Sequence, residues 1–485
     1  MSLRHGGRIL VDQLRIQGVE RVFCIPGESF LAALDGLHDS DIETIVCRQE
    51  GGVTMMADAT ARLTGRPGIA FVTRGPGATN ASAGVHIAFQ DSVPMILFIG
   101  QVASDQKDRE AFQEVDYRQM FGPLAKWVAE IESTDRIPEY VSHAFHVASS
   151  GRPGPVVLAL PEDMLSASAD IADAPPAMVP GNGLSQQAAQ QIHEALQKSE
   201  KPLIIAGGGG WSAEAATDIA RLAEQTGVPV ATSFRCQDYM DNSHGHYVGD
   251  VGIGINPDLA DHIRASDCLL VIGARLGEMT TSGYTLLSIP KPAQSLIHIY
   301  PDADELGRVY RPDMGFVAGS AEALSALAAF ENERLARPRQ VTVDLRTSYE
   351  DWQVLEETPG ALKLEQVISH LRDILPEDAI ITNGAGNFAG WLHRYYRFRR
   401  YRTQLAPTSG SMGFGLPASV AAKLQYPDRT VICYAGDGDF QMHCQEFGTA
   451  CQYGANIVVL ISNNGLYGTI RMHQEKHYPG RVSGT

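Results

Sequence analysis

Positive charge is scarce in this chain. Lys and Arg number 39 against 56 Asp and Glu, a formal net charge of -17. That balance disfavours a nucleic-acid backbone or an anionic membrane as partner. A small anionic substrate stays possible, because it needs only local positive charge. Long apolar runs are absent too. No stretch reaches the ~20 residues of a membrane helix, and the start Met1 to His5 has no signal-peptide pattern. Cysteine is sparse and scattered: Cys24, Cys47, Cys236, Cys268, Cys433, Cys444 and Cys451. None forms a CxxC pair, which argues against a disulfide framework or zinc. Buried free thiols in a reducing cytoplasm are the expectation.

What is present is a long, ordinarily hydrophobic chain. At 485 residues it exceeds one core, and about three domains are expected. The first segment alternates short apolar runs with helical patterns. Arg21 to Ile25 precedes Pro26-Gly27, Ile42 to Cys47 precedes Glu50, and Gly68 to Thr73 precedes Gly75-Pro76-Gly77. Pro94 to Gly100 and Pro155 to Leu160 follow. Strands at this rhythm with helices between predict a parallel, doubly wound sheet. Asp170 to Gly183, rich in proline, reads as a linker. A second α/β unit starts at Pro202 to Ala206 and Gly207 to Gly210. Polar, uneven sequence from Leu335 to Pro359 reads as a second linker, and a third unit begins near Leu364. The predicted class is α/β, with three doubly wound parallel-sheet domains over 1–170, 184–335 and 360–485. A doubly wound domain normally adds a strand and helix beyond a point such as Asn464. The expectation is therefore that the last domain is incomplete and the natural chain continues past Thr485.

The third unit carries the most informative pattern. Gly436-Asp437-Gly438 follows the apolar run Val431 to Ala435. Asn463-Asn464 follows a second run, Ile457 to Ile461. Both runs read as buried parallel strands with helix between them. An acid and an amide then sit at the carboxyl ends of two strands, where open α/β sheets bind ligands. Hard oxygen ligands beside glycine turns suit a divalent cation holding a diphosphate. Alone, Asp-Gly and Asn-Gly also serve as turns.

The interval of roughly 30 residues, one βαβ unit, resembles the thiamin diphosphate signature. The first unit strengthens the resemblance. It has Arg48-Gln49-Glu50-Gly51-Gly52, Thr73-Arg74-Gly75-Pro76-Gly77-Ala78-Thr79-Asn80, Phe89 to Pro94, and Ala111-Phe112-Gln113-Glu114. Together these closely resemble acetolactate synthase and its thiamin diphosphate-dependent relatives, whose domains run pyrimidine-binding, central, diphosphate-binding. The resemblance implies Glu50 as the catalytic acid. Its carboxyl would bond the aminopyrimidine ring and exchange a proton near neutral pH, a task that an apolar pocket assists by raising its pKa. It implies Pro26, Gly27, Gly77 and Asn80 as cofactor contacts on that side. On the diphosphate side it implies Gly386, Asn387, Phe388, Gly436, Gly438 and Asp439, the last two through backbone N–H groups at a helix start. Gly410 would offer its carbonyl to the cofactor's amino group, and Met412 would wedge between its rings. Mg²⁺ would be held by Asp437, Asn464 and the Leu466 carbonyl. Phe112, Gln113 and Lys126 match positions lining the substrate pocket. Glu50 and Asp437 lie on different domains, which in this family meet across subunits. A homodimer is therefore the minimum expected and a homotetramer plausible.

Acetolactate synthases decarboxylate one 2-oxo acid and add the remainder to another. Two positions depart from that pattern. His473 stands where those enzymes carry a tryptophan that helps choose the second substrate, and Arg74 replaces the usual serine before Gly-Pro-Gly. Both point to a different acceptor or a simple decarboxylase. Gly207 to Gly210 is no dinucleotide fingerprint. Gly273 to Gly277 weakly resembles a flavin-contacting strand end, so FAD, ADP or neither remains open for the central domain. The alternatives are a flavin-linked 2-oxo-acid oxidase and a catalytically silent cofactor-binding subunit.

Overall fold

The computed structural model describes residues 3–330 and 339–485. Three parallel sheets follow one another along the chain, each built from runs that alternate with helices. The first has six strands in the order Glu43–Val46, Arg21–Cys24, Gly68–Val72, Met95–Gln101, Pro155–Pro161, Trp127–Glu130, all parallel. Helices cover both faces, and successive strand residues feed opposite cores. Val22, Cys24, Ile69, Phe71, Ile96 and Phe98 enter one core. Phe23, Ala70, Val72, Met95, Leu97 and Ile99 enter the other.

The second sheet also has six parallel strands, ordered Tyr247–Val251, Val230–Ser233, Pro202–Ala206, Cys268–Ile272, Ser295–Tyr300, Met314–Val317. The third has four: Gln404–Leu405, Ile380–Asn383, Val431–Gly436 and Val458–Ser462. The chain joins the first and third units into one core. Phe414, Ala418, Val420, Ala421 and Ala422 share a buried cluster with Met55, Met56 and Ala59. The helix Gly415–Gln425 is buried from Gly415 to Ala422 without a solvent face, because it lies between its own sheet and the helix Glu50–Thr64.

Two expectations need correction. The run at Val458–Ser462 forms the expected strand but is not buried: Val458 is 48% and Ile461 45% exposed. It is the outermost strand of its sheet in this chain, paired only with Val431–Gly436. The stretch read as a second linker contains the helix Gln340–Trp352. Leu345 and Tyr349, four residues apart, anchor it among buried residues of the central domain. Arg339 fixes its start by donating to the carbonyls of Leu196, Ser199 and Thr226. Residues 335–338 of that stretch lie outside the described residues. Asp170 to Gly183 carries neither helix nor strand. All seven thiols are free, five of them buried. Among the described residues no helix is long and apolar enough to cross a membrane.

Candidate active site

Every motif loop leaves the carboxyl end of a parallel strand, as the sheet geometry requires. In the first domain four such loops converge. Gly27 lies so close to Thr73 that an added Cβ would fall 2.6 Å from the threonine Cβ, and at Gly77 one would fall 2.8 Å from Thr73 Cγ2. Glu50 is the first residue of the helix Glu50–Thr64. Gln49 caps that helix by accepting from Gly51 N at 2.5 Å and Gly52 N at 3.2 Å. The half-buried Glu50 carboxylate accepts from Asn80 Nδ2 at 3.0 Å and lies 3.5 Å from where a Gly77 Cβ would be. Glu50, Gly77, Asn80 and Gly27 thus form one group. Pro26 is exposed beside it.

Gln113 adjoins this group through Gly75, whose absent Cβ would meet Gln113 Cβ at 2.8 Å. Gly75 N donates to Tyr117 Oη at 2.9 Å. Phe112 is 72% exposed in the single chain. Lys126 stands apart. Its ammonium donates to the carbonyls of Val147 at 2.5 Å and Ser150 at 2.6 Å, closing the end of the helix Ile137–Ser149. Burial pulls its pKa down to about 8.

The third domain gathers a second group. The register Gly436↔Ser462 brings Asp437 beside the 463–466 loop. Asp437 Oδ2 accepts from Gly465 N at 3.2 Å, and Asn464 Oδ1 accepts from Leu466 N at 3.1 Å. Asp437 and the Asn464 side chain both meet this loop, whose Leu466 carbonyl accepts from Gly468 N at 2.9 Å. Carboxylate, amide and carbonyl oxygens are donor types suited to a hard cation such as Mg²⁺. Among the described residues no group of three or more His, Cys, Asp or Glu could hold a metal. A Mg²⁺ site at Asp437, Asn464 and Leu466 draws on only one such side chain.

Next to it, Gly386 and Gly436 both make room for the Phe388 ring, which would lie 2.8 Å and 2.9 Å from their added Cβ atoms. The ring packs edge-on to Tyr434. Gly386 has φ +155. Asn387 bonds Thr469 through both its N–H and its side chain. Asn383, fully buried beside this loop, keeps Oδ1 without a partner. Gly438 approaches the Tyr467 ring, and Gly410 is exposed with φ +69 and open space around it. Met412 is half-buried. The open space at Gly410 and the orphaned Asn383 Oδ1 fit a bound polar group on this side of the sheet.

Asp439 turns inward. Its carboxylate accepts from Gly413 N at 2.8 Å and Ala385 N at 3.3 Å, and burial pushes it up to about 6. It thereby ties the Met412 segment to the 384–388 loop.

Three residues, Arg235, His443 and Glu446, went unnoticed in the sequence, and Asp91 stood within the Phe89 to Pro94 motif without a role assigned to it. Asp91, with a fully buried carboxylate, accepts from Thr408 N and Ser409 N at 2.8 Å each and from Arg62. Arg235, from the central domain, donates to the carbonyls of Pro407 and Gly384, the latter at 2.9 Å. His443 is wedged between Gly51 and Gly413. Glu446 accepts from Arg48 N at 3.1 Å and Gln49 N at 2.9 Å. All three domains therefore hold the 406–413 segment or the start of the Glu50 helix. The signal available was only a charged residue in an apolar setting, with no spacing to its partner. Gly207 and Gly208 have a packing explanation: added Cβ atoms would strike Ser233 Oγ at 1.9 Å and the Gly273 carbonyl at 1.7 Å.

Comparison with known proteins identifies the family. Residues 4–120 match the thiamine pyrophosphate enzyme N-terminal TPP binding domain, residues 189–327 the central domain, and residues 384–485 the C-terminal TPP binding domain. An acetolactate synthase large subunit of Haemophilus influenzae is 31% identical over all of this chain and 86% of its own length. The isozyme 3 large subunit of Escherichia coli K12 is likewise 31% identical over 100% and 86%. A probable acetolactate synthase large subunit of Methanocaldococcus jannaschii is 32% identical over 99% and 84%. The chain belongs to the thiamine pyrophosphate enzyme family and is an acetolactate synthase-like enzyme of the transferase or lyase kind.

Proposed function

We propose that this thiamine pyrophosphate enzyme decarboxylates a 2-oxo acid, with Mg²⁺, and passes the remaining fragment to an acceptor other than that of anabolic acetolactate synthesis. The observation that carries this reading is the pairing of two groups at strand carboxyl ends: Glu50 with Asn80 and Gly77, and Asp437 with the 463–466 loop. Thiamin diphosphate, when bound, supplies a nucleophilic carbon and an electron sink for the loss of CO₂.

The chain's residues orient and tune. Asp437, Asn464 and the Leu466 carbonyl offer Mg²⁺ its protein oxygens. Gly436, Gly438, Asp439, Gly386, Asn387 and Phe388 frame the diphosphate, with Asp439 contributing its backbone while its side chain braces the loops. The Gly410 carbonyl would accept from the pyrimidine amino group, and the Met412 side chain would pack against the cofactor rings. Pro26, Gly27, Gly77 and Asn80 flank the acid. The Glu50 carboxyl is the group that would exchange a proton with the cofactor ring, oriented by the Asn80 amide and the helix start. A second chain would complete its pocket, which leaves it half-buried in the single chain. Phe112 and Gln113 face the substrate. Lys126, two of its three donors committed to a helix end, acts on the fold rather than on the substrate.

Exposed apolar side chains next to the motif residues support a homodimer at least: Phe112 at 72%, Met442 at 46% and Phe447 at 46%. The free thiols suit a reducing compartment such as the cytoplasm.

The deciding experiment supplies purified protein with thiamin diphosphate and Mg²⁺. Pyruvate, glyoxylate, benzoylformate and oxalyl-CoA are offered singly and in pairs, and CO₂ and coupled products are recorded. Cofactor-dependent CO₂ release from at least one 2-oxo acid is expected. Release from none overturns the reading. A flavin band in the purified protein with oxygen consumption would move it to a flavin-linked oxidase.

A further inference from the structure

Arg74 replaces a serine in the family pattern, and the structure gives that exchange a task. The residue is 7% exposed, at the turn between the strand Gly68–Val72 and the helix Pro76–Asp91. Its guanidinium reaches three elements at once. Nε donates to the Phe112 carbonyl at 3.1 Å. Nη1 donates to Glu162, the first residue of the short helix Glu162–Ser166. Nη2 faces Glu28 at 3.6 Å, one residue after Gly27. A serine hydroxyl, a single atom beyond Cβ, spans none of these distances together.

The loop it holds needs holding. Asp108, Glu110 and Gln113 all have positive φ, at +61, +54 and +65. Left-handed backbone at a residue with a side chain is strained and persists only where the surroundings impose it. Here the constraints are few. The Glu114 carboxylate accepts from Asp108 N at 2.7 Å and Ala111 N at 2.9 Å, which closes the loop on itself. Gln101 Nε2 donates to the Val115 carbonyl at 2.9 Å, after the strained residues. Arg74 supplies the hydrogen bond from the body of the domain to the Phe112–Gln113 peptide, and Gly75 beside it leaves the space Gln113 occupies.

We infer that Arg74 is a positioning residue for substrate choice: clamped between Glu162 and Glu28, it fixes the Phe112–Gln113 turn and thereby sets where the two substrate-facing side chains stand. This rests on the proposed 2-oxo-acid chemistry. It places the determinant of the acceptor in a residue that touches no substrate. A guanidinium bonded on two edges by separate elements orients the turn in a plane, which an ammonium of similar reach does not.

The test compares Arg74→Ser, Arg74→Lys and Glu162→Gln with the parent protein. Hydrogen exchange of the peptides covering 108–117 should quicken at least tenfold in Arg74→Ser, less in the other two, with the Glu50–Thr64 helix unchanged. In steady-state assays with thiamin diphosphate and Mg²⁺, KM for the 2-oxo acid should rise about tenfold or more and the ratio of coupled products should shift. The cofactor dissociation constant should stay within twofold. Unchanged exchange in 108–117 overturns the clamp. Faster exchange with unchanged KM and product ratio overturns its part in substrate choice. An equal loss of cofactor affinity and KM also overturns it, since that is general damage. If Arg74→Ser does not fold, Arg74→Lys and Glu162→Gln are judged by the same criteria. If the parent protein releases CO₂ from no 2-oxo acid, the functional reading has failed, and the exchange data still decide the clamp.

Discussion

Glu446 accepts the backbone N–H of Gln49 at 2.9 Å, so the third domain grips the residue that caps the Glu50 helix. The same carboxylate accepts from Arg48 N at 3.1 Å and from Thr449 Oγ1 at 2.6 Å, and burial raises its pKa. An added Cβ at Gly52 would sit 2.4 Å from its Oε1, so the glycine is what admits it. The candidate acid is therefore oriented by two domains of its own chain before any cofactor arrives.

Replacing Glu50 by Gln keeps the side-chain shape and the Asn80 contact but removes the proton exchange. The expected result is a loss of 2-oxo-acid turnover of about 10²- to 10⁴-fold, the usual worth of a positioned acid or base. Calorimetric thiamin diphosphate affinity should stay within a few-fold. Parent-level turnover would remove Glu50 from the reaction.

Asp437→Ala deletes the one carboxylate of the proposed cation site. Thiamin diphosphate binding should lose its Mg²⁺ dependence and weaken at least 100-fold in titration calorimetry. Removing Mg²⁺ from the parent protein with a chelator should mimic the variant. Affinity equal to the parent's would refute the metal assignment.

Asp91→Ala leaves the N–H groups of Thr408 and Ser409 without their acceptor and strips Arg62 of one of two carboxylates. Breaking a buried charge pair on one side costs about 3–5 kcal/mol. A lowered melting temperature is expected, together with cofactor affinity reduced tenfold or more as the Gly410–Met412 segment loosens. A folded variant with parent affinity would show that the segment needs no such tether.

The pH dependence of stability should carry the mark of Asp250. Burial pushes its carboxyl from the ordinary 3.8 up to about 7, opposed by a hydrogen bond from its own backbone N–H; Gln237 Nε2 also donates to it at 3.2 Å. Between about pH 4 and 7 the native state keeps a proton that the unfolded chain has lost. Its contribution is full below pH 4 and falls away as pH rises through 7. Asp250→Asn removes this slope. Melting curves should coincide near pH 4, and the variant should melt several degrees higher at pH 8. Parallel profiles from pH 4 to 8 would refute the raised carboxyl.

Much of this was readable from residues alone. Apolar runs of five ending in glycine or proline marked the strands, and Glu50, Asp437 and Asn464 stand where those strands end. The strand Val458–Ser462 was legible as a strand but not as an exposed edge, because hydrophobicity reports what a residue prefers and not its neighbour. The helix Gln340–Trp352 was hidden by polar surroundings; only Val341, Leu345 and Tyr349 at four-residue intervals betray it. Asp91 stood within the Phe89 to Pro94 motif, but its tie to Thr408 spans 317 positions; Arg235 and Glu446 could not be found, since Arg235 holds Gly384 and Pro407 from 149 and 172 positions away and Glu446 holds Gln49 from 397. Arg74 was legible as an exception and acquires its meaning only from Phe112, Glu162 and Glu28.

Helix Gly415–Gln425 has no face of its own to show the solvent, and that restricts how such a chain can change over generations. A third domain borrowed from a cousin would arrive with the wrong knobs for the Met55, Met56 and Ala59 sockets. Exchange by recombination must then carry both ends of the gene together, and a traded middle portion would have to keep Arg235 and Asp238, which hold the third domain at Pro407, Gly384, Thr403 and Gln404.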